Sequence, residues 1–218
     1  MDRVVIYGVG SPIVVDVQES LIRAGIAIAA AVCNLACESR LLDGVVPMGP
    51  DELRAELLAL SFVAPFFRPA NRQKVAREAF AAGFRSGYSL IDPTVPQSRS
   101  LVHGPGLYVN AGCTLGAAGQ FGEWVFINRG ASIGHHARFG DFVSIGPGAV
   151  VSGSVTVGRG SVVGAGAVVL PELIIGSNAV VGAGAVVTKD VPDNCLALGV
   201  PAKVARTGIA GFGDQAVV

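Results

Sequence analysis

ASIGHHARFGDFVSIGPGAVVSGSVTVGRG, residues 131 to 160, divides by its own pattern into sixes: ASIGHH, ARFGDF, VSIGPG, AVVSGS, VTVGRG. The same division holds outward in both directions, from Leu107 to Asp190, for fourteen hexads without interruption. The third place is bulky and apolar in every one, from Val109 through Phe121, Ile133 and Val157 to Val187. The fourth place is Gly in nine hexads and Asn in two, residues that tolerate positive φ. The first place is mostly Ala, Val or another small or aliphatic residue.

A period of six suits neither an amphipathic helix nor an alternating strand. It suits a short strand followed by a sharp corner, repeated. Three such faces close a coil of 18 residues, and each coil buries the apolar layer of its neighbour, as stacked repeats do. The fold expected is a left-handed parallel β-helix. Its 18-residue stacking makes further expectations explicit. His135 should lie between Ala117 and Gly153, Asn110 should stack on Asn128, and Glu123, Asp141 and Arg159 should share a column in which the arginine offsets repulsion between the acids.

Outside the hexads the pattern changes. Arg3 to Tyr7 reads as a strand, Gly8-Val9-Gly10-Ser11-Pro12 as a turn, and VVDVQESLIRAG as a helix with Ser11 placed to cap it and Gly25 to end it. Ile26 to Cys33 reads as a second strand, and Pro50-Asp51-Glu52 announces a helix running through AELLAL. A third strand is expected over Phe62 to Ala64 and a third helix over Asn71 to Ala82. Residues 1–92 therefore form a small Rossmann-like α/β domain and residues 93–218 the β-helix with its tail, Pro93 and Pro96 marking the boundary. The N-terminal domain and the segment after Asp190 can cap the exposed ends of the prism.

Composition narrows the functions open to such a chain. Formal charge is zero and no basic run exists, which argues against nucleic acid as a partner. The longest apolar run, Ile26 to Cys33, is far short of the ~20 residues a membrane span needs. No signal-peptide pattern opens the chain, so a cytoplasmic location is expected. Cys33, Cys37, Cys113 and Cys195 form no paired CxxC arrangement and are expected to be reduced.

Two places carry chemistry. Gly8, Gly10 and Ser11 let backbone amides approach a phosphate at a helix N-terminus. The dinucleotide pattern is incomplete there, since Ile13 replaces the third glycine and Asn34, with Glu38 later, stands where an acidic residue would end the second strand; a tight strand-to-helix turn without a ligand fits equally well. The second place is His135-His136, two of only three histidines, at the outward-facing end of a hexad. A neutral imidazole there can accept a proton from an attacking alcohol or amine. His103, two coils away, has no spacing that supports joint metal ligation with the pair, so a metal-dependent hydratase is disfavoured and no metal is expected.

The run INRGASIGHHARFGDFVSIGPGAVVSGSVTVG and the closing VTKDVPDNCLALGVPAKVAR resemble the hexapeptide-repeat sugar acetyltransferases, the bacterial sialic acid O-acetyltransferase and nucleotide-amino-sugar N-acetyltransferase family of NeuD and PglD type. The resemblance implies transfer of an acetyl group from acetyl-CoA to an amino or hydroxyl group of a sugar, nucleotide-linked, by a homotrimer. It implies His135 as the catalytic base with His136 beside it, and Asn128 lining the sugar cleft. Gly8, Gly10 and Ser11 would hold the nucleotide. Ser144, Gly153, Ala165 and Ala183 would line the coenzyme groove, with Lys189 and Lys203 within reach of its phosphates. The chain departs from the family where His136 replaces a carboxylate, where Gly134 replaces an acidic residue often found before the base, and where Ser144 replaces a coenzyme-contacting histidine. Loss of the carboxylate leaves room for another reading, a sugar-nucleotide-binding scaffold that has kept the fold without the activity.

Overall fold

The computed structural model describes residues 2–35, 39–42 and 44–218, and in it the hexads wind into a three-sided prism. Each hexad supplies a two-residue strand, and strands 18 residues apart pair in parallel: Ser132–Ile133 lies between Thr114–Leu115 and Val150–Val151. Three sheets result, as expected of the left-handed parallel β-helix. The first face holds Tyr108–Val109 and Phe126–Ile127, the second Thr114–Leu115 and Ser132–Ile133, and the third Gln120–Phe121 and Arg138–Phe139. The third-place side chains fill the interior, and all but Leu115 are buried.

The corners work differently from the expectation. Positive φ falls at the sixth place of the hexad, at Gly130 and Gly148 but also at Trp124, His136 and Phe142. The fourth-place glycine is demanded by space instead. A Cβ on Gly134 would collide with the backbone nitrogen of Gly153 in the next coil, and one on Gly116 with that of His135. Coils ~4.8 Å apart leave no room for a side chain pointing along the axis at that place.

The N-terminal region is a three-stranded parallel sheet, ordered β2-β1-β3, of β1 (Arg3–Tyr7), β2 (Ala27–Val32) and β3 (Ser61–Val63). Helix α1 (Val14–Arg23) begins later than expected: Ile13 is its N-cap, and Ser11 Oγ accepts only a 3.4 Å contact from the Ile13 N–H. The expected second helix is split. Pro50–Glu52 forms a single 3-10 turn closed by Glu52 Oε1 on the Gly49 N–H at 2.7 Å, extended Leu53 and Arg54 interrupt, and α2 is only Ala55–Leu58. Helix α3 (Pro69–Ala82) starts two residues early, with Pro69 at its first turn.

This region is seated on the first face of the prism. Outward-facing Tyr108 and Phe126 share an apolar cluster with Val4, Ile6 and Val14, while the corner residues Trp124 and Phe142 join Tyr7, Phe62 and Phe84. Arg72 of α3 is 1% exposed and bonds only to neutral oxygens: the Trp124, Phe142, Val143, Phe66 and Phe67 carbonyls and Ser144 Oγ, at 2.5–3.1 Å. Burial lowers its pKa to about 9. Asp92 makes a second link. Its Oδ2 accepts from Ser20 Oγ at 2.7 Å and Arg23 Nη2 at 2.7 Å, and its Oδ1 from Thr94 Oγ1 at 2.7 Å. Burial would raise the Asp92 pKa, but these donors outweigh it and hold the carboxyl down at about 2.

The prism begins just before the expected boundary, since β4 (Leu90–Ile91) already pairs with Tyr108–Val109. At the other end the hairpin of Cys195–Gly199 and Ala202–Thr207 extends the first face. The chain then returns along the prism to α3, where the Val217 N–H meets Asn178 Oδ1 at 3.0 Å and Gln73 Nε2 reaches the Val218 carbonyl at 2.6 Å. Cys113 and Cys195 are buried free thiols, but Cys33 is disulfide-bonded, against the expectation of reduced cysteines; Cys37 and Glu38 lie outside the described residues. No helix among the described residues is long and apolar enough to cross a membrane.

Candidate active site

His135 stands at the corner between the second and third faces, and the coil geometry gives its ring a seat. A Cβ on Gly153, one coil on, would lie 2.6 Å from His135 Cε1 and 2.7 Å from Nε2, so the imidazole rests flat on the space that glycine leaves open. Ala117 is its neighbour on the other side, its carbonyl accepting from the His136 N–H at 2.8 Å. The hollow expected from small neighbours is present. His136, turned by a φ of 57°, sets its ring at 85° to that of His135, with the two Nδ1 atoms 3.0 Å apart. Both rings are exposed.

Among the described residues no carboxylate pairs with either ring. Glu123 and Asp141 occupy the corner between the third and first faces, where Asp141 Oδ1 accepts from the Glu123 N–H at 2.9 Å. Arg159 does not offset them as expected, because its Nη2 donates to the Val218 carbonyl of the returning tail at 2.8 Å. Lys189 is in the His135 column three coils away, ~14 Å along the axis. Lys203 lies in the terminal hairpin.

A second candidate lies at the carboxyl ends of β1 and β3. Gly10, Ser11, Pro12 and Ile13 face Phe66, Phe67, Arg68, Asn71 and Phe212 across a cleft of about 450 Å³. Two helices open toward it, α1 from Ile13 and α3 from Arg68, and neither N-cap residue uses its side chain. Gly8 is needed both for its φ of 99° and because a Cβ would run into the Phe66 ring. The carboxylate missing from the end of β2 arrives from elsewhere: Glu78 of α3 accepts from Asn34 Nδ2 at 2.6 Å. Desolvation, and then the Glu78 charge, raise the pKa of neighbouring Tyr7.

The sequence pattern pointed to the glycine turn but not to its opposite wall. Phe67 and Phe212 meet edge to face at 6.2 Å, and the Arg68 guanidinium sits 5.9 Å from the Phe212 ring centroid. The FFRP run before α3 was a legible hint, whereas Phe212, in the returning tail, carried no signal.

The expected residues fall into separate groups. Asn128 forms the expected ladder, its Oδ1 accepting from Asn110 Nδ2 at 3.1 Å, and Asn110 Nδ2 also reaches Asp16 of α1 at 3.2 Å. Arg129 pairs with the same Asp16 at 3.1 Å, which ties the corner between the first and second faces to the glycine-turn side of the molecule. Ala165 and Ala183 lie exposed on that same corner. His135 and Gly153 lie on the next one, across a face of six residues, ~20 Å away.

Ser144 belongs with neither group. It is fully buried on the first face beneath α3, donating to the Phe67 carbonyl at 2.6 Å and accepting from Arg72 Nη2 at 3.0 Å. The expectation that it lines the coenzyme groove is corrected accordingly, since its hydroxyl is used inside the domain junction. His103 is exposed in the first coil with Nδ1 2.8 Å from the Gly104 carbonyl, and among the described residues no group of three metal-ligating side chains converges.

Comparisons with known proteins agree with the fold. The family described as bacterial transferase hexapeptide (six repeats) matches residues 136–171 and 154–189. The perosamine N-acetyltransferase of Caulobacter crescentus, solved as a histidine-to-asparagine variant in complex with CoA and GDP-perosamine, has a TM-score of 0.83 and 34% identity, over 94% of this chain and 97% of that one. The acetyltransferase domain of PglB from Neisseria gonorrhoeae, in complex with acetyl coenzyme A, has a TM-score of 0.82 and 28% identity, over 93% and 98%. WeeI from Acinetobacter baumannii shares the fold at a TM-score of 0.72 and 19% identity, over 94% and 100%. No curated protein matches the chain.

Proposed function

Because the chain belongs to the hexapeptide-repeat sugar acetyltransferases, we propose that it moves the acetyl group of acetyl-CoA directly onto an amino or hydroxyl group of a nucleotide-linked sugar, with His135 as general base. The observation that carries this reading is the His135 ring laid over Gly153, presented at an open corner. As the acceptor nitrogen or oxygen attacks the thioester carbon, its proton passes to His135 Nε2. Collapse of the tetrahedral intermediate breaks the carbon–sulfur bond, and the imidazolium returns that proton to the leaving thiolate. Backbone amides facing the developing oxyanion are worth roughly 3 kcal/mol each in such a step. The enzyme forms no covalent intermediate.

The acceptor's diphosphate fits the cleft where α1 and α3 both begin, with Arg68 supplying positive charge and Phe67 and Phe212 an aromatic wall for the base. GDP-perosamine, bound by the Caulobacter relative, makes a nucleotide-linked amino sugar the first acceptor to test. Ala165 and Ala183 remain candidates for the coenzyme groove together with Gly153, while Asn128 acts by buttressing the cleft side of the prism.

Within one chain these groups stand on two corners, a full face apart. A homotrimer removes the separation, because the His135 corner of one copy then meets the Asn128 and Ala165 corner of the next. The outward residues of the intervening face, Thr114, Ser132, Val150, Val168 and Val186, carry no charge and suit such packing. The test is His135→Ala with acetyl-CoA and nucleotide-linked amino sugars, following thiol release. Turnover should fall by ~100- to 10,000-fold, and unchanged turnover rejects His135 as the base.

A further inference from the structure

The Nδ1 atoms of His135 and His136 face each other at 3.0 Å, and two neutral imidazoles can hold only one proton in that contact. Two arrangements are therefore possible, and they differ in what His135 offers the substrate. If His136 donates, His135 accepts at Nδ1 and carries its proton on Nε2, where it cannot take another. If His135 donates, its Nε2 lone pair is free, and the same Nδ1–H bond survives when Nε2 becomes protonated during the reaction.

Resting on the reading of His135 as base, we propose that His136 is its positioning residue: a neutral imidazole, protonated on Nε2, whose Nδ1 accepts the His135 Nδ1–H and holds the base in its working tautomer. The ring thus does the orienting that a carboxylate would do, without a charge.

The surroundings support a device confined to two rings. In the adjacent coils the same corner carries Ala117 and Ala118 on one side and Gly153 and Ser154 on the other, none of them charged. Arg138 leaves along the third face, Arg99 and Glu172 are two coils away on opposite sides, and Lys189 and Asp190 are three. Among the described residues neither histidine forms an ion pair. The backbone at His136 tolerates aromatic substitution, as Phe142 shows with the same φ of 57° one corner later.

Nitrogen-15 spectra of the full-length protein read the tautomers directly, and three histidines keep the assignment tractable. Expected are a proton on Nδ1 of His135 and on Nε2 of His136; the reverse overturns the proposal. Kinetics supply an independent arm. His136→Phe, which keeps a ring and removes the acceptor, should lower kcat by ~10- to 100-fold with KM for acetyl-CoA unchanged. His136→Gln, whose amide oxygen can accept the same bond, should recover most of that loss. His136→Glu should move the acid limb of kcat/KM upward by about one pH unit, because a carboxylate stabilises the imidazolium. If His135→Ala is inactive while His136→Phe keeps the wild-type kcat and acid limb, the pairing is refuted and the base assignment stands. If His135→Ala is active, the base assignment itself has failed. Should the Phe variant not fold, the tautomers of the unsubstituted protein decide.

Discussion

Gly153→Ala isolates the placement of the base from the stability of the fold. The residue is not in a left-handed conformation, so the backbone accepts alanine, yet the added methyl would lie 2.6 Å from His135 Cε1, 2.7 Å from Nε2 and 3.1 Å from Nδ1. Ordinary carbon contacts are ~3.5 Å, so the ring must retreat by ~1 Å or swing off the corner. The ring is exposed and free to do so. Stability should change by less than ~1 kcal/mol, because no buried group loses a partner. A ~1 Å displacement of a reacting group costs on the order of 100-fold in rate, equivalent to ~2.7 kcal/mol of barrier. Initial-rate measurements with acetyl-CoA and a nucleotide-linked amino sugar, alongside a thermal melt, should show kcat falling by about that factor with the melting temperature nearly unchanged. A kcat within twofold of the parent, at equal stability, would refute the claim that the Gly153 hollow positions the base.

Two further perturbations test the junction that holds the glycine-turn cleft in place. Arg72→Met leaves the Trp124, Phe142 and Phe66 carbonyls without their guanidinium donor and should cost ~3–5 kcal/mol, lowering Tm by roughly 10 °C; a fall under ~1 kcal/mol in urea titrations would show that the guanidinium is dispensable. Asp92, held at about 2 in the folded protein, contributes stability that is fully present above the ordinary carboxylate range near 3.8 and disappears as pH falls through about 2. Asp92→Asn should therefore cost up to ~2 kcal/mol at pH 6 and progressively less between pH 4 and pH 2. Equal costs at pH 6 and pH 2.5 would contradict the assignment.

What the sequence disclosed, and what it withheld, follows from how the prism is built. A repeat of 18 residues makes vertical neighbours a matter of counting, which is why the seat of His135 on Gly153 and the Asn110–Asn128 ladder were readable before any coordinates. The reason for the fourth-place glycine was not, because φ preference and close packing both favour glycine, and only the coil spacing separates them. Lateral neighbours obey no period. Arg72, Glu78 and Phe212 come from non-repeating segments, and nothing in their local sequence says that they meet Ser144, Asn34 or Arg68.

The same distinction explains why Ser144 is sealed inside the junction while His135 stays exposed at a corner. Both occupy defined places in a hexad, but the hexad does not say which face the N-terminal region covers. That choice is made by Phe126, Tyr108 and Trp124, whose large apolar side chains point outward on or beside the first face and require a partner. Once they are covered, Ser144 is sealed under α3 and the second and third faces are left free. The histidine corner lies between those two uncovered faces, away from the N-terminal region. Outward aromatic residues on the first face, rather than any motif at the histidines, thus determine which corner is left open.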